Sequence, residues 1–172
     1  TGGMNSGFNK AANSAGVKPS CFVAGTLVMA VVGMVAIEKI KSGDKIISTD
    51  PETMETGEKT VLETYIREVT TLVHLTVNGE EIVTTVDHPF YVKNQGFIKA
   101  GELIVGDEFL DVNGNVLLVE KFNVELTDEP TTVYNFQVED FHTYHVGEIG
   151  VWVHNASCKV NKKVGENYDQ RF

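Results

Sequence analysis

The dipeptide His154-Asn155 closes a β-branched and aromatic run in the stretch VWVHNASC. Asparagine is one of the few side chains that can cut its own backbone, because its amide nitrogen can attack its own carbonyl carbon and close a succinimide. That reaction would release the chain from Ala156 onward. It is slow in ordinary peptides, so a histidine that polarises the carbonyl or takes up a proton has a clear role beside it. The dipeptide therefore marks either a cleavage site or a turn.

Cys21 marks the beginning of the same β-rich region and is a candidate nucleophile. Its thiolate is placed to attack the carbonyl carbon of Ser20, which would turn the Ser20–Cys21 peptide bond into a thioester. Amide resonance opposes this exchange, so the protein must either distort the bond or protonate the departing nitrogen. Another part of the sequence must supply the group that does so.

The segment TTVDHPF offers groups for that purpose. Thr85 and His88 come directly after a predicted strand, and Pro89 disfavours helix at His88. A histidine of near-neutral pKa can donate a proton to the amide nitrogen, and a threonine hydroxyl can hold the scissile carbonyl or nitrogen. A histidine before proline is, by itself, more often structural. The catalytic interpretation therefore depends on the whole set of residues.

Composition divides the chain into three parts. Short runs of Val, Ile, Thr and aromatic residues, broken by Gly, Asn and Asp, fill residues 21–155 and predict an all-β domain. Residues 1–20 and 156–172 contain few large apolar residues, so we expect them to be flexible flanks. A chain of 172 residues is long enough for one domain with a sizeable core.

Local signals place several elements within residues 21–155. Asn78-Gly79 predicts a two-residue type I′ turn between two strands, because both residues tolerate positive φ values. A second hairpin is predicted around Asn113-Gly114. The segments TTVYNFQV and YHVGEIGVWVHN are each predicted to form one strand, and AIEKI a single helical turn.

An internal repeat appears when the chain is shifted by 63 positions, so that GTLVMAVVGMVAIEKIKSGDKII falls on HPFYVKNQGFIKAGELIVGDEFL. Gly33 then meets Gly96, and a Gly-Asp pair at 43–44 meets another at 106–107. Coincident glycines and turns at one offset favour two copies of a β unit, which would form one compact body with a cleft between the halves. The alternative is chance similarity between two strand-turn-strand pieces.

Charge and motif content exclude several classes of function. The net charge of −10 argues against a nucleic-acid partner. No apolar run approaches the roughly 20 residues that span a bilayer, and we expect no signal peptide at the N-terminus. The chain could still be part of a larger bacterial secreted or surface protein. Two cysteines are too few for a disulfide framework or a zinc site, and no phosphate-binding glycine motif follows a strand.

Three blocks in order resemble those of a Hint domain, the Hedgehog and intein family: CFVAGTLV, TTVDHPFYV and VYNFQVEDFHTYHVG…VWVHN. The resemblance is to the bacterial intein-like class, and the span from Cys21 to Asn155 leaves no room for an inserted homing endonuclease. It implies a twisted, horseshoe-shaped all-β fold with pseudo-twofold symmetry, which agrees with the repeat found independently.

The resemblance also implies roles for residues at matching positions. Cys21 matches the nucleophile of the N–S acyl shift. Thr85 and His88 match the block that activates this step. The asparagine cyclisation site is matched by His142, His154 and Asn155. Neither a metal nor a cofactor is implied.

Two positions depart from the pattern of splicing inteins. Ala156 stands where those proteins have Cys, Ser or Thr, so no side chain there can accept the acyl group; Ser157 and Cys158 come too late. Asn135 stands where many inteins have an aspartate that coordinates the two cleavages, and an amide cannot take up a proton. Cleavage should therefore dominate over ligation of the flanks.

These observations predict a monomeric, single-turnover domain that cleaves its own flanking polypeptides, with external thiols or amines as further acyl acceptors. A β-rich interaction module that retains the motifs without activity is the alternative, and mass spectrometry of freshly expressed protein separates the two. Because the ends of this fold meet at one site, Cys158 could form a disulfide with Cys21 and make processing redox-dependent. The simpler interpretation is that Cys158 is an incidental exposed thiol.

Overall fold

The computed structural model describes residues 20–155, and within them the predicted all-β class is confirmed. The proposed flanks lie outside the described residues, apart from Ser20, and so do Ala156 and Cys158. The strands are β1 (Phe22–Val23), β2 (Leu27–Ala30), β3 (Gly33–Ala36), β4 (Lys45–Thr49), β5 (Thr56–Val77), β6 (Glu80–Thr84), β7 (Pro89–Val92), β8 (Gly96–Lys99), β9 (Glu108–Leu110), β10 (Val116–Val138), β11 (Thr143–Val146) and β12 (Val151–His154).

A single sheet joins these strands, and its spine is the antiparallel pairing of the two long strands β5 and β10. The pairing is continuous from Lys121 to Leu126 and again from Thr131 to Gln137. Between these stretches the register shifts, and the extra residues of β10 include Pro130. Proline lacks the N–H that a ladder position needs, so it is accommodated in such an irregularity. The two long strands connect both halves of the molecule.

The predicted repeat is confirmed at the level of individual hydrogen bonds. The order β2, β3, 3-10 turn (Ile37–Lys39), β4, β5 recurs as β7, β8, 3-10 turn (Ala100–Glu102), β9, β10. Asp44 Oδ2 accepts the N–H of the residue three before it at 2.8 Å, and Asp107 Oδ2 does the same at 2.9 Å. The glycines before these aspartates have φ values of 95° and 101°. The first 3-10 turn is the one predicted in AIEKI.

Both hairpin predictions are confirmed. Asn78 and Gly79 have φ values of 47° and 88°, as a type I′ turn requires. The second hairpin joins β9 and β10, but its connection is longer than a two-residue turn. The Asp111 carboxylate accepts the N–H groups of Asn113 and Asn115, both at 2.8 Å, and so closes the wider loop.

One strand prediction is wrong. The segment YHVGEIGVWVHN forms a hairpin of β11 and β12 rather than one strand. Gly147 and Gly150 adopt φ values of 79° and 75° and turn the chain between them. The apolar residues change phase across the turn, from Tyr144 and Val146 to Ile149 and Val151, with the exposed Glu148 between them. TTVYNFQV is the last third of β10 rather than a separate strand.

The core lies between the two halves. Phe22, Phe90, Phe136 and Tyr144 are fully buried in it and contact one another at their edges or faces. Trp152 belongs to a smaller cluster with Phe97 and Leu110, beneath Tyr91, rather than to this main core. None of the helices in the described part of the chain is long and apolar enough to span a bilayer.

Candidate functional site

The Ser20–Cys21 peptide bond is buried, with both residues at most 2% exposed. β1 begins immediately after it and is held between β6 and β10, through the pairs Phe22 with Thr84 and Phe22 with Tyr134. A strand in the middle of a sheet has its backbone groups fixed on both sides, so the bond before it has little freedom to move. The fold thereby holds the candidate scissile bond in place.

Thr85 contacts the nitrogen of this bond. The Cys21 N–H donates to Thr85 Oγ1 at 3.0 Å, and the Cys21 carbonyl accepts from the Thr85 N–H at 3.0 Å and from Thr84 Oγ1 at 2.9 Å. Of the two atoms that the sequence allowed for Thr85, the carbonyl or the nitrogen of the scissile bond, the structure therefore shows the nitrogen.

Asp87 is a member of the site that sequence reasoning missed. Thr85 Oγ1 donates to Asp87 Oδ1 at 2.8 Å, and Ser20 Oγ donates to the Asp87 carbonyl at 3.0 Å. Burial raises the pKa of the Asp87 carboxyl, while the Thr85 hydrogen bond and the Arg67 charge act in the opposite direction. The only sequence signal was an acidic residue inside TTVDHPF, which looks like an ordinary loop residue.

The Cys21 thiol rests in its neutral form. Complete burial raises the pKa of Cys21 far above its ordinary value, and the nearby Asp87 adds to this effect while Arg67 opposes it. Because the thiolate is the nucleophilic form of cysteine, an attack by Cys21 would require the proton to leave the sulfur during the attack rather than beforehand.

His88 is packed between the two candidate scissile bonds. Its ring is fully buried and lies 4.2 Å, between centroids, from the ring of Phe22, the residue after Cys21. Burial, and then the neighbouring His154, hold the pKa of His88 well below its ordinary value, with the His154 backbone acting the other way. His88 is therefore neutral at physiological pH and connects the Cys21 end of the site with the Asn155 end.

Asn155 is fixed by hydrogen bonds at the end of β12. Its backbone N–H donates to the His142 carbonyl at 2.9 Å. In the amide orientation that satisfies both ends of the side chain, Nδ2 donates to the same carbonyl and Oδ1 accepts from the Val138 N–H at 2.8 Å. The backbone N–H and the side-chain amide of Asn155 are therefore both anchored on the His142 carbonyl.

Two neutral histidines flank Asn155. The ring of His142 lies 6.3 Å from that of His154 between centroids, and His142 has an unusual φ of 59°. Burial lowers the pKa of His154 to about 3, with His142 adding to the shift, and burial also lowers the pKa of His142. A neutral imidazole can accept a proton, which is what asparagine cyclisation needs.

Asn135 pairs with a tyrosine that the sequence did not indicate. Tyr144 Oη donates to Asn135 Oδ1 at 2.6 Å, and the same oxygen accepts the Phe136 N–H at 2.8 Å. Asn135 Nδ2 has no hydrogen-bond partner within residues 20–155. Burial and the proximity of Cys21 raise the pKa of Tyr144 well above its ordinary value. Asn135 on β10 and Tyr144 on β11 are thus joined by a buried hydrogen bond, and Tyr144 lies close enough to Cys21 for the two groups to interact electrostatically.

The structure brings together the residues that the sequence predicts to act at the Ser20–Cys21 bond and at Asn155. Ala156 and Cys158 lie outside the residues it describes. Among residues 20–155, no group of three or more His, Cys, Asp or Glu side chains could hold a metal ion.

The pretoxin Hint domain model matches residues 27–156. The chain belongs to the Hint domain family. It is 62% identical to a bacterial intein-like domain from Clostridium thermocellum, whose solution structure matches with a TM-score of 0.77 over 78% of this chain and 98% of that one. A DnaB intein from Synechocystis shares the fold, with a TM-score of 0.67 and 16% identity, over 80% and 99% of the two chains.

Matches to curated proteins are local. An uncharacterized protein of Methanocaldococcus jannaschii is 38% identical over 77 residues, which make up 42% of this chain and 11% of that protein. A DNA-directed RNA polymerase III subunit of Dictyostelium discoideum is 32% identical over 87 residues, 47% of this chain and 5% of the subunit. This Hint domain therefore spans a small part of the curated relatives it matches. Self-processing of flanking polypeptide is the general capacity of its class.

The buried histidines predict a stability that falls in acid. His154 is neutral in the folded chain down to about pH 3, whereas an unfolded histidine binds a proton near pH 6.5. Unfolding therefore takes up a proton between these values, and its free energy decreases as pH falls through that window. From pH 6.5 to pH 5, His154 alone should cost about 2 kcal/mol, at about 1.4 kcal/mol per pH unit.

Urea denaturation at pH 7 and pH 5, in a Cys21→Ala/Asn155→Ala background, measures this loss. His154→Gln should reduce the acid sensitivity. His74→Gln is the opposite case, because hydrogen bonds to Glu81 and Glu125 raise the pKa of the partly buried His74. Its stabilising effect is present below pH 6.5 and is lost as pH rises through its folded pKa, so His74→Gln should increase the acid sensitivity. Equal acid sensitivity of the parent and His154→Gln proteins would contradict the assignment.

Proposed function

We propose that this Hint domain cuts the chain on both sides of itself, at Ser20–Cys21 by an N–S acyl shift and at Asn155–Ala156 by asparagine cyclisation. The observation that carries the proposal is the position of His88, which packs on Phe22 beside Cys21 and next to His154 beside Asn155. Two candidate bonds that are far apart in sequence therefore share one water-poor site.

In the N-terminal step, the Cys21 sulfur attacks the Ser20 carbonyl carbon and the bond from that carbon to the Cys21 nitrogen breaks. Thr85 already contacts this nitrogen at 3.0 Å, which supports a role in proton delivery to the leaving group. His88 lies beside the next residue as a neutral imidazole that can move a proton. The product is a thioester, which water, an external thiol or an amine can open.

In the C-terminal step, Asn155 Nδ2 attacks the Asn155 carbonyl carbon, a succinimide closes, and Ala156 leaves as a free amine. The His142 carbonyl holds the nitrogen, and the half-buried His142 ring and His154 are neutral bases beside it. Burial also excludes water from Asn155. Cyclisation therefore competes well with ordinary hydrolysis of the same carbonyl.

The C-terminal cut predicts that Asn155→Ala abolishes release of a protein fused after Phe172, because the attacking nitrogen is removed. His142→Ala and His154→Ala should slow release by roughly 10²–10⁴-fold, the usual loss for a missing general acid or base. Gel electrophoresis of the fusion over time measures the rate, with His74→Ala, a histidine outside the candidate site, as control. Undiminished release from the Asn155 variant would sink the assignment.

The N-terminal cut predicts that dithiothreitol or hydroxylamine releases a protein fused before Thr1, since both reagents attack thioesters and spare amides. Cys21→Ala removes the nucleophile and should prevent release, and His88→Ala should slow it strongly. Mass spectrometry of the released fusion identifies the adduct on Ser20. If neither end of the wild-type chain is released, the interaction-module alternative stands instead.

Ala156 predicts more cleaved than spliced product, because its methyl group cannot accept the acyl chain. Ala156→Cys or Ala156→Thr should raise the spliced fraction, whereas Ala156→Gly, which also lacks a nucleophile, should not. Quantitative mass spectrometry of a chain with distinct fusions at both ends gives the ratio. Efficient splicing by the wild-type chain would show that another nucleophile, such as the freed amine, carries the acyl group.

A further inference from the structure

A chain of hydrogen bonds runs from the scissile nitrogen to a carboxylate. The Cys21 N–H donates to Thr85 Oγ1 at 3.0 Å, and Thr85 Oγ1 donates to Asp87 Oδ1 at 2.8 Å. Thr85 and Asp87 also line a cavity of about 440 Å³, together with Arg67 and Glu68. The carboxylate therefore borders a space that water can enter, whereas the nitrogen at the other end of the chain is buried.

The direction in which these two hydrogen bonds can pass a proton depends on which atoms carry the hydrogens. A hydroxyl has one hydrogen to donate. While Thr85 donates to Asp87, it can only accept from the Cys21 N–H, and this arrangement holds the intact amide. To protonate the nitrogen, the Thr85 hydrogen must turn toward it and Asp87 must donate to Thr85 Oγ1. Only the carboxylic acid form of Asp87 can do so.

We propose that Asp87 is a positioning residue of the N-terminal cleavage and delivers a proton to the Cys21 nitrogen through the Thr85 hydroxyl. This inference rests on the proposed function. As the bond from Sγ to the Ser20 carbonyl carbon forms and the bond from that carbon to nitrogen breaks, nitrogen takes the hydroxyl proton of Thr85. Thr85 takes the proton of Asp87, and the Asp87 carboxylate, whose charge acts on the Cys21 thiol, takes up the thiol proton, so protons balance.

The surroundings of Asp87 suit this task. Burial is the largest influence and raises the pKa of the carboxyl, so it keeps a proton to a higher pH than an exposed aspartate does. The groups that face it are Thr85, Arg67 from β5 and Lys99 at the end of β8, all of which favour the ionised form, and the Cys21 thiol. Neutral Asp87 becomes more populated as pH falls.

The test uses the full chain with fusions at both ends, and follows release of the N-terminal fusion in saturating hydroxylamine from pH 5 to pH 9. Asp87→Asn should slow this release about 10²-fold, the lower end of the range for lost proton transfer, and should change the shape of its pH profile at the acidic side. Thr85→Val should give a similar loss, and Thr85→Ser, which keeps the hydroxyl, should retain most of the rate.

The double variant Asp87→Asn/Thr85→Val decides whether the two residues act as one unit. If the two residues act in one relay, the double variant should release the N-terminal fusion no more slowly than the slower single variant. If they act independently, the fold-reductions in rate of the two single variants should multiply. Release of the C-terminal fusion, measured in the same reactions, should stay at the wild-type rate. Asp128→Asn, which changes an exposed aspartate of β10, is the control and should leave the release of both fusions at the wild-type rate.

Each other result overturns the inference. These results are a wild-type rate and pH profile in Asp87→Asn, multiplied losses in the double variant, and an equal slowing of both releases, which would make Asp87 a structural residue. If Asp87→Asn does not fold, the comparison of Thr85→Val with Thr85→Ser still tests the hydroxyl, and equal rates overturn the relay. A wild-type chain that never responds to hydroxylamine refutes the proposed function itself.

Discussion

The site depends on how the two-residue strand β1 is held in the sheet. Phe22 pairs with Thr84 on one side and Tyr134 on the other, and the Cys21 backbone is bonded at both its N–H and its carbonyl. These contacts fix the Ser20–Cys21 bond against Thr85. Without them the Cys21 thiol would have no fixed position relative to Thr85 and His88.

Burial of this strand determines the electrostatics of the whole site. Desolvation disfavours charge, so the Cys21 thiol, the Asp87 carboxyl and the rings of His88 and His154 all shift toward their neutral forms. A buried site of neutral groups avoids isolated charges, which a low dielectric makes expensive. We expect such a site to lower stability in acid, because the unfolded chain binds protons that the buried histidines of the folded chain do not bind.

The sequence by itself determined the all-β architecture and named most of the residues of the candidate site. The 63-residue repeat predicted two related halves, and the structure shows the same aspartate turn in each, at Asp44 and Asp107. The Asn78-Gly79 turn followed from backbone sterics alone, since few other residue pairs tolerate positive φ. Such features are local, so neighbouring residues suffice to specify them. The two ends of the domain were recognisable because their residue types carry unusual chemistry.

Tertiary structure decided what depends on distance through space. It placed Thr85 on the scissile nitrogen rather than the carbonyl, added Asp87 behind it, and set Tyr144 against Asn135. An aspartate in a loop and a tyrosine in a strand are common, and their roles arise only when the sheet brings β1, β6, β10 and β11 together. The hairpin within YHVGEIGVWVHN became apparent only in the structure. All residues of β11 and β12 are buried, because these strands pair with each other and with β2 and β7, so neither shows the alternation of buried and exposed residues that marks a surface strand.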